Sequence, residues 1–319
     1  MKKIYSSIQP YLCELESTIN QLMDLDNNDL NNISKYFLSN YGKQLRPALV
    51  FLTSGICGGI TKKTQIGALL ISLLHNATLL HDDVIDKSDL RRGNPTVNKI
   101  WGNKTSVLFG DFLLSKILGI ICDFNCMDLL EVIAKAIKQL VYGELLQSTA
   151  YINLHNLQNA TTTYFEIIRC KTGSLFEACF TIGTITTESE FLTKEMISIG
   201  EDFGIAFQLK DDLLDYGSGN ADASKPLCMD FKLMLATMPL INALGNAPEE
   251  LKTKVVNTFL QKEATMTTNE IVKFVKDYGG IDHTKQLIYD YKNRIVETIK
   301  KLPQSQYKHD IMELIDYVM

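Results

Sequence analysis

Apolar side chains recur along this chain at helical rather than strand spacing. From Gly67 to Asp86 there is no proline, and hydrophobic residues occupy nearly the whole helical circumference. That is the pattern of a central, buried helix of about 30 Å. Leu129 to Tyr151, Tyr164 to Ile185 and Met196 to Tyr216 repeat the same long spacing. The breaks fall between these stretches, at Gly58-Gly59, Gly93-Asn94-Pro95, Gly217-Ser218-Gly219-Asn220 and Gly279-Gly280. No alternating segment is bounded by hairpin residues. The pattern predicts an all-α fold. No linker rich in Pro, Gly or Ser divides it, so one large helical domain is expected over residues 1–319.

One segment is repeated. Leu80-His81-Asp82-Asp83-Val84-Ile85-Asp86 returns as Leu209-Lys210-Asp211-Asp212-Leu213-Leu214-Asp215. Each copy ends a long apolar stretch, where three neighbouring carboxylates bring no structural advantage and aspartate is a mediocre helix former. Residues four apart share a helical face, so Asp82 meets Asp86 and Asp211 meets Asp215, a repulsion that cations relieve. Oxygen-only ligands with no neighbouring cysteine select Mg²⁺ or another hard ion, which usually brings substrate phosphates with it. No E-x-x-H or H-E-x-x-H is present, which disfavours a transition metal, and no G-x-x-x-x-G-K-[ST] loop marks a P-loop nucleotide enzyme. The plainer reading, two solvated acidic helix ends, requires the repeat to be coincidence.

Composition narrows the partners. Of 319 residues 45% are hydrophobic, and 37 acidic against 32 basic side chains give a net charge of −5. That balance argues against a nucleic-acid partner. No apolar run reaches the ~18 residues that span a bilayer, so any membrane contact is peripheral. Lys2-Lys3 is followed by Ser6, Ser7, Gln9 and Pro10, where a signal peptide would be apolar. The seven cysteines (13, 57, 122, 126, 170, 179, 228) contain no C-x-x-C. Both features point to reduced thiols in a cytoplasmic protein.

Phosphate calls for basic groups, and they occur in clusters. Lys43 and Arg46 stand in Gly42-Lys43-Gln44-Leu45-Arg46-Pro47, and Arg91-Arg92-Gly93 follows the first aspartate motif. Lys171-Thr172 interrupts an otherwise apolar stretch. On an ideal helix His75 is offset from Asp82 by about 20° and Thr78 by about 40°, so both share its face. Taken singly, each basic pair reads equally as surface, and His75 as a satisfied core histidine.

Together these residues resemble the trans-isoprenyl diphosphate synthases, in their polyprenyl branch. The resemblance runs through G-K-x-x-R-P at 42–47, H-x-A-T-L-x-H-D-D-x-x-D from His75, and R-R-G-x-P-T at 91–96. It continues through Gly110-Asp111, Gly143-Glu144-Leu145-Leu146-Gln147, Lys171-Thr172 and Phe207-Gln208-Leu209-Lys210-Asp211-Asp212-x-x-Asp215. Such a likeness implies a homodimeric helical bundle around a deep cavity. It implies that Asp82 and Asp86 ligate two Mg²⁺ ions and Asp211 a third, with Mn²⁺ able to substitute. Asp83, Asp212 and Asp215 would support them, largely through water. Lys43, Arg46, His75 and Arg92 would hold isopentenyl diphosphate. Arg91, Lys171 and Lys225 would hold the allylic diphosphate, with Thr172 and Gln208 close to the reacting carbons.

The implied reaction is repeated head-to-tail condensation of isopentenyl diphosphate onto a farnesyl- or geranylgeranyl-type primer, giving a medium- or long-chain all-trans polyprenyl diphosphate. In the family pattern Ala77 and Thr78 border the elongation tunnel, and here both are small. A short-chain (C15–C20) synthase is the nearest alternative. A terpene cyclase would not need Lys43, Arg46 and Arg92, and a regulatory synthase subunit should have lost aspartates. Departures from the pattern lie at Tyr41, in place of the first glycine of the usual G-G-K, at Ser224 and Cys228, in place of both glycines of G-K-P-x-G-x-D, and at Leu235, in place of a second lysine before T-x-P-L.

Overall fold

The computed structural model describes residues 4–39, 42–149, 154–187, 193–218, 227–261 and 266–319. Tyr41, Ser224 and Lys225 lie outside the described residues. The described residues are overwhelmingly helical, as the periodicity predicts. They divide into two compact units. The first comprises Met1–Lys138, Leu175–Gly200 and Lys301–Leu314; the second comprises Gln139–Ser174, Glu201–Lys300 and Ile315–Met319.

The first unit opens with α1 (Gln9–Leu22), α2 (Asn28–Ser39), α3 (Leu45–Cys57) and α4 (Lys62–Ile85). A two-stranded ribbon follows, β1 (Leu90–Arg91) antiparallel to β2 (Asn94–Pro95), then α5 (Val97–Trp101), α6 (Asn103–Phe124) and the first half of α7 (Met127–Thr149). The ribbon falls at Gly93-Asn94-Pro95, which the sequence marks only as a break between helices. Helix α4 is buried over most of its circumference and lies against α1, α3, α5 and α6. It starts five residues before the predicted Gly67 because Thr61 and Thr64 form a capping box, each side chain accepting the other's backbone N–H at 3.1 Å.

The second unit continues with α8 (Leu157–Ile168), a π-helical turn at Arg169–Gly173 and α9 (Ser174–Ile185), most of α9 belonging to the first unit. Helix α10 (Thr193–Asp215) is followed by the short α11 (Met229–Lys232), α12 (Met238–Asn246), α13 (Glu249–Phe259) and α14 (Thr268–Asp277). Helices α15 (Gly280–Lys300) and α16 (Gln306–Val318) end the chain. The core of the second unit joins Leu209, Leu213 and Tyr216 of the α10 end to Leu240, Phe259 and Phe274. The predicted continuous helix from Tyr164 to Ile185 is therefore broken at Lys171-Thr172, where one extra residue per turn is accommodated. Both aspartate motifs do end long helices: Asp215 is the last residue of α10, and Asp86 caps α4.

Candidate active site

In the first unit the end of α4 presents three carboxylates in three environments. The N–H of Asp86 donates to the carbonyl of Asp82 at 2.8 Å, so helical register persists through the cap and the two side chains keep their i, i+4 relation. Asp82 is half-buried and Asp86 exposed. Asp83 turns inward, 5% exposed, and its Oδ1 accepts both Nε (2.9 Å) and Nη2 (2.8 Å) of Arg91. Arg91 reaches it from β1, and Asn98 Nδ2 ties the same corner by donating to the Asp83 carbonyl at 3.3 Å. In this structure Arg91, assigned by resemblance to the allylic diphosphate, is thus the counter-ion of Asp83.

The ribbon turns at Arg92-Gly93 with φ of 54° and 80°. Two successive left-handed residues make the tight turn that matches strand twist, and Gly93 adopts it without strain. Arg92 does not; its left-handed backbone is held against an ordinary cost of about 1 kcal/mol. The guanidinium so placed lies where Gly42 allows it: a Cβ on Gly42 would stand 2.3 Å from Nη2 and 2.6 Å from Cζ. The glycine of G-K-x-x-R-P and the second arginine of R-R-G are one packing unit.

Arg46, in the first turn of α3, completes the cluster. Its Nη1 donates to Nε2 of His75 at 3.0 Å, and its guanidinium sits 4.7 Å from the Phe176 ring centroid. Arginine offers only donors, so Nε2 carries the lone pair and the His75 proton is on Nδ1. Burial, then the charges of Arg46, Arg92 and Arg91, hold His75 well below the usual imidazole range, so the ring is neutral. Burial pulls Arg46 down to about 10, leaving it charged at neutral pH. Its buried Nε has no hydrogen-bond partner. Arg92 is lowered by burial and then by Arg91. Lys43 is exposed at the same loop. Cations depressing one another's proton affinity around an unsatisfied guanidinium N–H are suited to a multiply charged anion.

The second unit repeats the arrangement of carboxylates with different partners. Asp211 is exposed and Asp212 is 3% exposed. Asp212 accepts from Tyr164 at Oδ2 and from Gln208 Nε2 at Oδ1 (2.9 Å), and Thr172 Oγ1 donates to Gln208 Oε1 at 2.7 Å. Burial pushes Asp212 up to about 7 against the pull of those hydrogen bonds, with Asp211 and Asp215 adding to the rise. Asp215 is spent locally: Oδ1 and Oδ2 accept the N–H groups of Met229 (2.8 Å) and Asp230 (3.1 Å), capping α11.

Lys171 stands in the π-helical turn, its Nζ paired with Glu144 Oε2 and donating to Gln147 Oε1 at 3.3 Å. The backbones meet because residue 143 is glycine: a Cβ there would lie 2.7 Å from Cβ of Cys170 and 2.9 Å from the Lys171 nitrogen. The G-E-x-x-Q motif is thus the seat of Lys171. Glu144 and Gln147 bond to Lys171 and Tyr164 to Asp212, and the sequence reading leaves all three without a role; the first two were at least visible in the motif. Thr78 Oγ1 donates to the His75 carbonyl at 2.8 Å, and Ala77 has no exposed surface.

Magnesium fits this donor set. Among the described residues no three His, Cys, Asp or Glu side chains form a metal cage on their own. Mg²⁺ is ordinarily bound by one or two carboxylates together with substrate phosphates. Asp83 is bonded to Arg91, Asp212 to Tyr164 and Asp215 to the N–H of Met229, while Asp86 and Asp211 are exposed and Asp82 is half-buried. Asp82 and Asp86 in the first unit, and Asp211 in the second, are the carboxylates that the resemblance assigns to the ions.

Residues 27–277 match the family model described as polyprenyl synthetase. A Rhodobacter capsulatus protein named all-trans-nonaprenyl-diphosphate synthase (geranyl-diphosphate specific) is 31% identical over 284 residues, covering 89% of this chain and 86% of its own. The crystal structure of a decaprenyl diphosphate synthase from Rhodobacter capsulatus superposes with a TM-score of 0.90 at 29% identity, covering 99% of this chain and 98% of its own. A polyprenyl synthase from Caulobacter crescentus CB15, complexed with calcium and isoprenyl diphosphate, also gives 0.90 at 28% identity, covering 99% and 96%.

Proposed function

The chain belongs to the polyprenyl synthetase family, and from that premise we propose that it condenses isopentenyl diphosphate with an allylic diphosphate in repeated head-to-tail steps, giving a medium- or long-chain all-trans polyprenyl diphosphate. The observation that carries this reading is the Arg46–His75–Arg92 cluster around Gly42, a site for a second diphosphate that a terpene cyclase would not need. The polyprenyl synthases among its relatives support the longer product.

Bound Mg²⁺ would neutralise the allylic diphosphate and make it a better leaving group, the role assigned to three ions at Asp82, Asp86 and Asp211. The protein supplies the positioning. Arg46 and Arg92, with Lys43, hold the isopentenyl diphosphate, while neutral His75 offers its Nδ1–H. Lys171, oriented by Glu144 and Gln147, and Lys225 hold the allylic diphosphate; Arg91 joins them from its pair with Asp83. Thr172 and Gln208 place oxygen dipoles near the carbon that becomes cationic as the C–O bond breaks. The isopentenyl double bond attacks that carbon, and released diphosphate takes the proton. No side-chain general base is required.

Purified protein incubated with radiolabelled isopentenyl diphosphate, a farnesyl or geranylgeranyl primer and Mg²⁺ should yield polyprenyl diphosphates longer than C20, and chelator should abolish the reaction. A product that contains no isopentenyl unit would overturn the reading. Products confined to C15–C20 would assign the short-chain alternative.

Length control is proposed at Ala77 and Thr78. Ala77→Tyr should shorten the main product. Ala77 is fully enclosed, so an overpacking cost of about 1–3 kcal/mol accompanies the change. A folded, active variant whose product distribution matches the parent would exclude Ala77 from the tunnel.

The same reading includes a homodimer. Along α6, Leu108, Asp111, Ser115, Leu118 and Cys122 are spaced three and four apart and all exposed, Leu108 and Leu118 at 56% each. A stripe at that spacing suits a second copy of the helix. Leu118→Glu should convert the dimer to monomer in sedimentation velocity; an unchanged sedimentation coefficient would remove α6 from the interface. Among the described residues no helix is long and apolar enough to cross a membrane.

A further inference from the structure

The two motifs share a feature: the middle aspartate of each is buried and bound by a side chain from elsewhere in its own unit. For Asp83 the partner is Arg91, a residue the sequence already marks. For Asp212 it is Tyr164, which carries no mark at all. Tyr164 is 4% exposed on α8, seven residues before Lys171, and its hydroxyl donates to Asp212 Oδ2. The other oxygen of Asp212 is taken by Gln208 from one turn earlier on α10, itself fixed by Thr172. With both oxygens bound to donors on two different helices, the carboxylate plane has no rotational freedom.

We propose that Tyr164 is a positioning residue: through Asp212 its hydroxyl fixes the last turn of α10, and so the direction in which the adjacent Asp211 meets its ion. The inference rests on the synthase reading above. Burial, then the charge of Asp212, hold the Tyr164 hydroxyl well above its usual range, so it remains a donor at any working pH. A tyrosine kept only to fill the core would be equally served by phenylalanine. The internal comparison is Tyr216, 3% exposed, whose hydroxyl has Thr237 Oγ1 as its hydrogen-bond partner at 3.4 Å.

The test uses the full-length protein and Mn²⁺ as a spectroscopic probe, titrated by electron paramagnetic resonance in the presence of inorganic diphosphate. Tyr164→Phe should raise the Mn²⁺ midpoint about tenfold, roughly a 1.4 kcal/mol loss. In turnover it should raise the Mg²⁺ requirement similarly and lower kcat at least tenfold, with KM for isopentenyl diphosphate within twofold of the parent. Tyr216→Phe should shift Tm comparably and leave both metal midpoints within twofold. Because Tyr164 acts through Asp212, adding Tyr164→Phe to an Asp212→Asn variant should change the Mn²⁺ midpoint by less than twofold; this arm also serves if the single variant folds poorly. Equal metal midpoints for Tyr164→Phe and the parent, or equal shifts in the two phenylalanine variants, would overturn the inference while leaving the synthase reading intact. A parent chain that binds no Mn²⁺ with diphosphate would overturn the synthase reading, and this inference with it.

Discussion

Asp82→Ala and Asp211→Ala should each lower turnover at least a thousandfold, roughly 4 kcal/mol of transition-state stabilisation, and neither should cost stability. Both aspartates occupy the last turn of a helix, where the backbone dipole disfavours negative charge, and each lies within one turn of two further carboxylates. Alanine relieves that repulsion and is the better helix former. The expected pairing is therefore lost activity with an unchanged or raised Tm. Asp83→Ala and Asp212→Ala should behave differently. The first strips Arg91 of its counter-ion, and the second leaves the buried Tyr164 hydroxyl and the half-buried Gln208 amide without their partner, a cost of about 1–3 kcal/mol. Kinetics and thermal denaturation of the four variants check this. Turnover within tenfold of the parent in Asp82→Ala or Asp211→Ala would remove that residue from the ion site.

Such a split between presented and anchored carboxylates marks the limit of what the sequence shows. The repeat, the helix ends on which it stands and the i, i+4 relation of Asp82 to Asp86 are all consequences of local spacing, and all were legible. The partners of Asp83 and Asp212 are not local in the same way. Arg91 is reached through a ribbon whose two-residue strands are too short to alternate, and Tyr164 lies 48 residues from Asp212. Asp215 reads as a metal neighbour by spacing, but its oxygens are taken by N–H groups 14 and 15 residues onward. The π-helical turn shifts the apolar period by one residue only, so the pattern from Tyr164 to Ile185 reads as one helix; the polar pair Lys171-Thr172 was its single trace. At α4 the polar turn Lys62–Gln65 hides the true start, because periodicity has nothing to register before Ile66.

Arg92→Ala should raise KM for isopentenyl diphosphate about a hundredfold, roughly 2.7 kcal/mol, with kcat and the KM for the allylic primer within a few-fold of the parent. The magnitude is that of charge-assisted hydrogen bonds to a diphosphate lost with the guanidinium of Arg92, an exposed residue. Arg92→Gly should show the same kinetic loss yet a higher Tm than Arg92→Ala, because glycine accepts φ of 54° without the strain that alanine retains. Gly42→Ala provides a test from the other side of the contact. Its backbone is not left-handed, so alanine is tolerated locally, but the new Cβ would stand 2.3–2.7 Å from three guanidinium atoms and must push them aside. The chain should fold, and KM for isopentenyl diphosphate should rise about tenfold with the primer unaffected. Since both changes act on one guanidinium, the double variant Gly42→Ala/Arg92→Ala should bind isopentenyl diphosphate no worse than Arg92→Ala alone. Additive losses would mean that Gly42 serves something other than Arg92. An unaltered isopentenyl KM in Arg92→Ala would place the second diphosphate elsewhere.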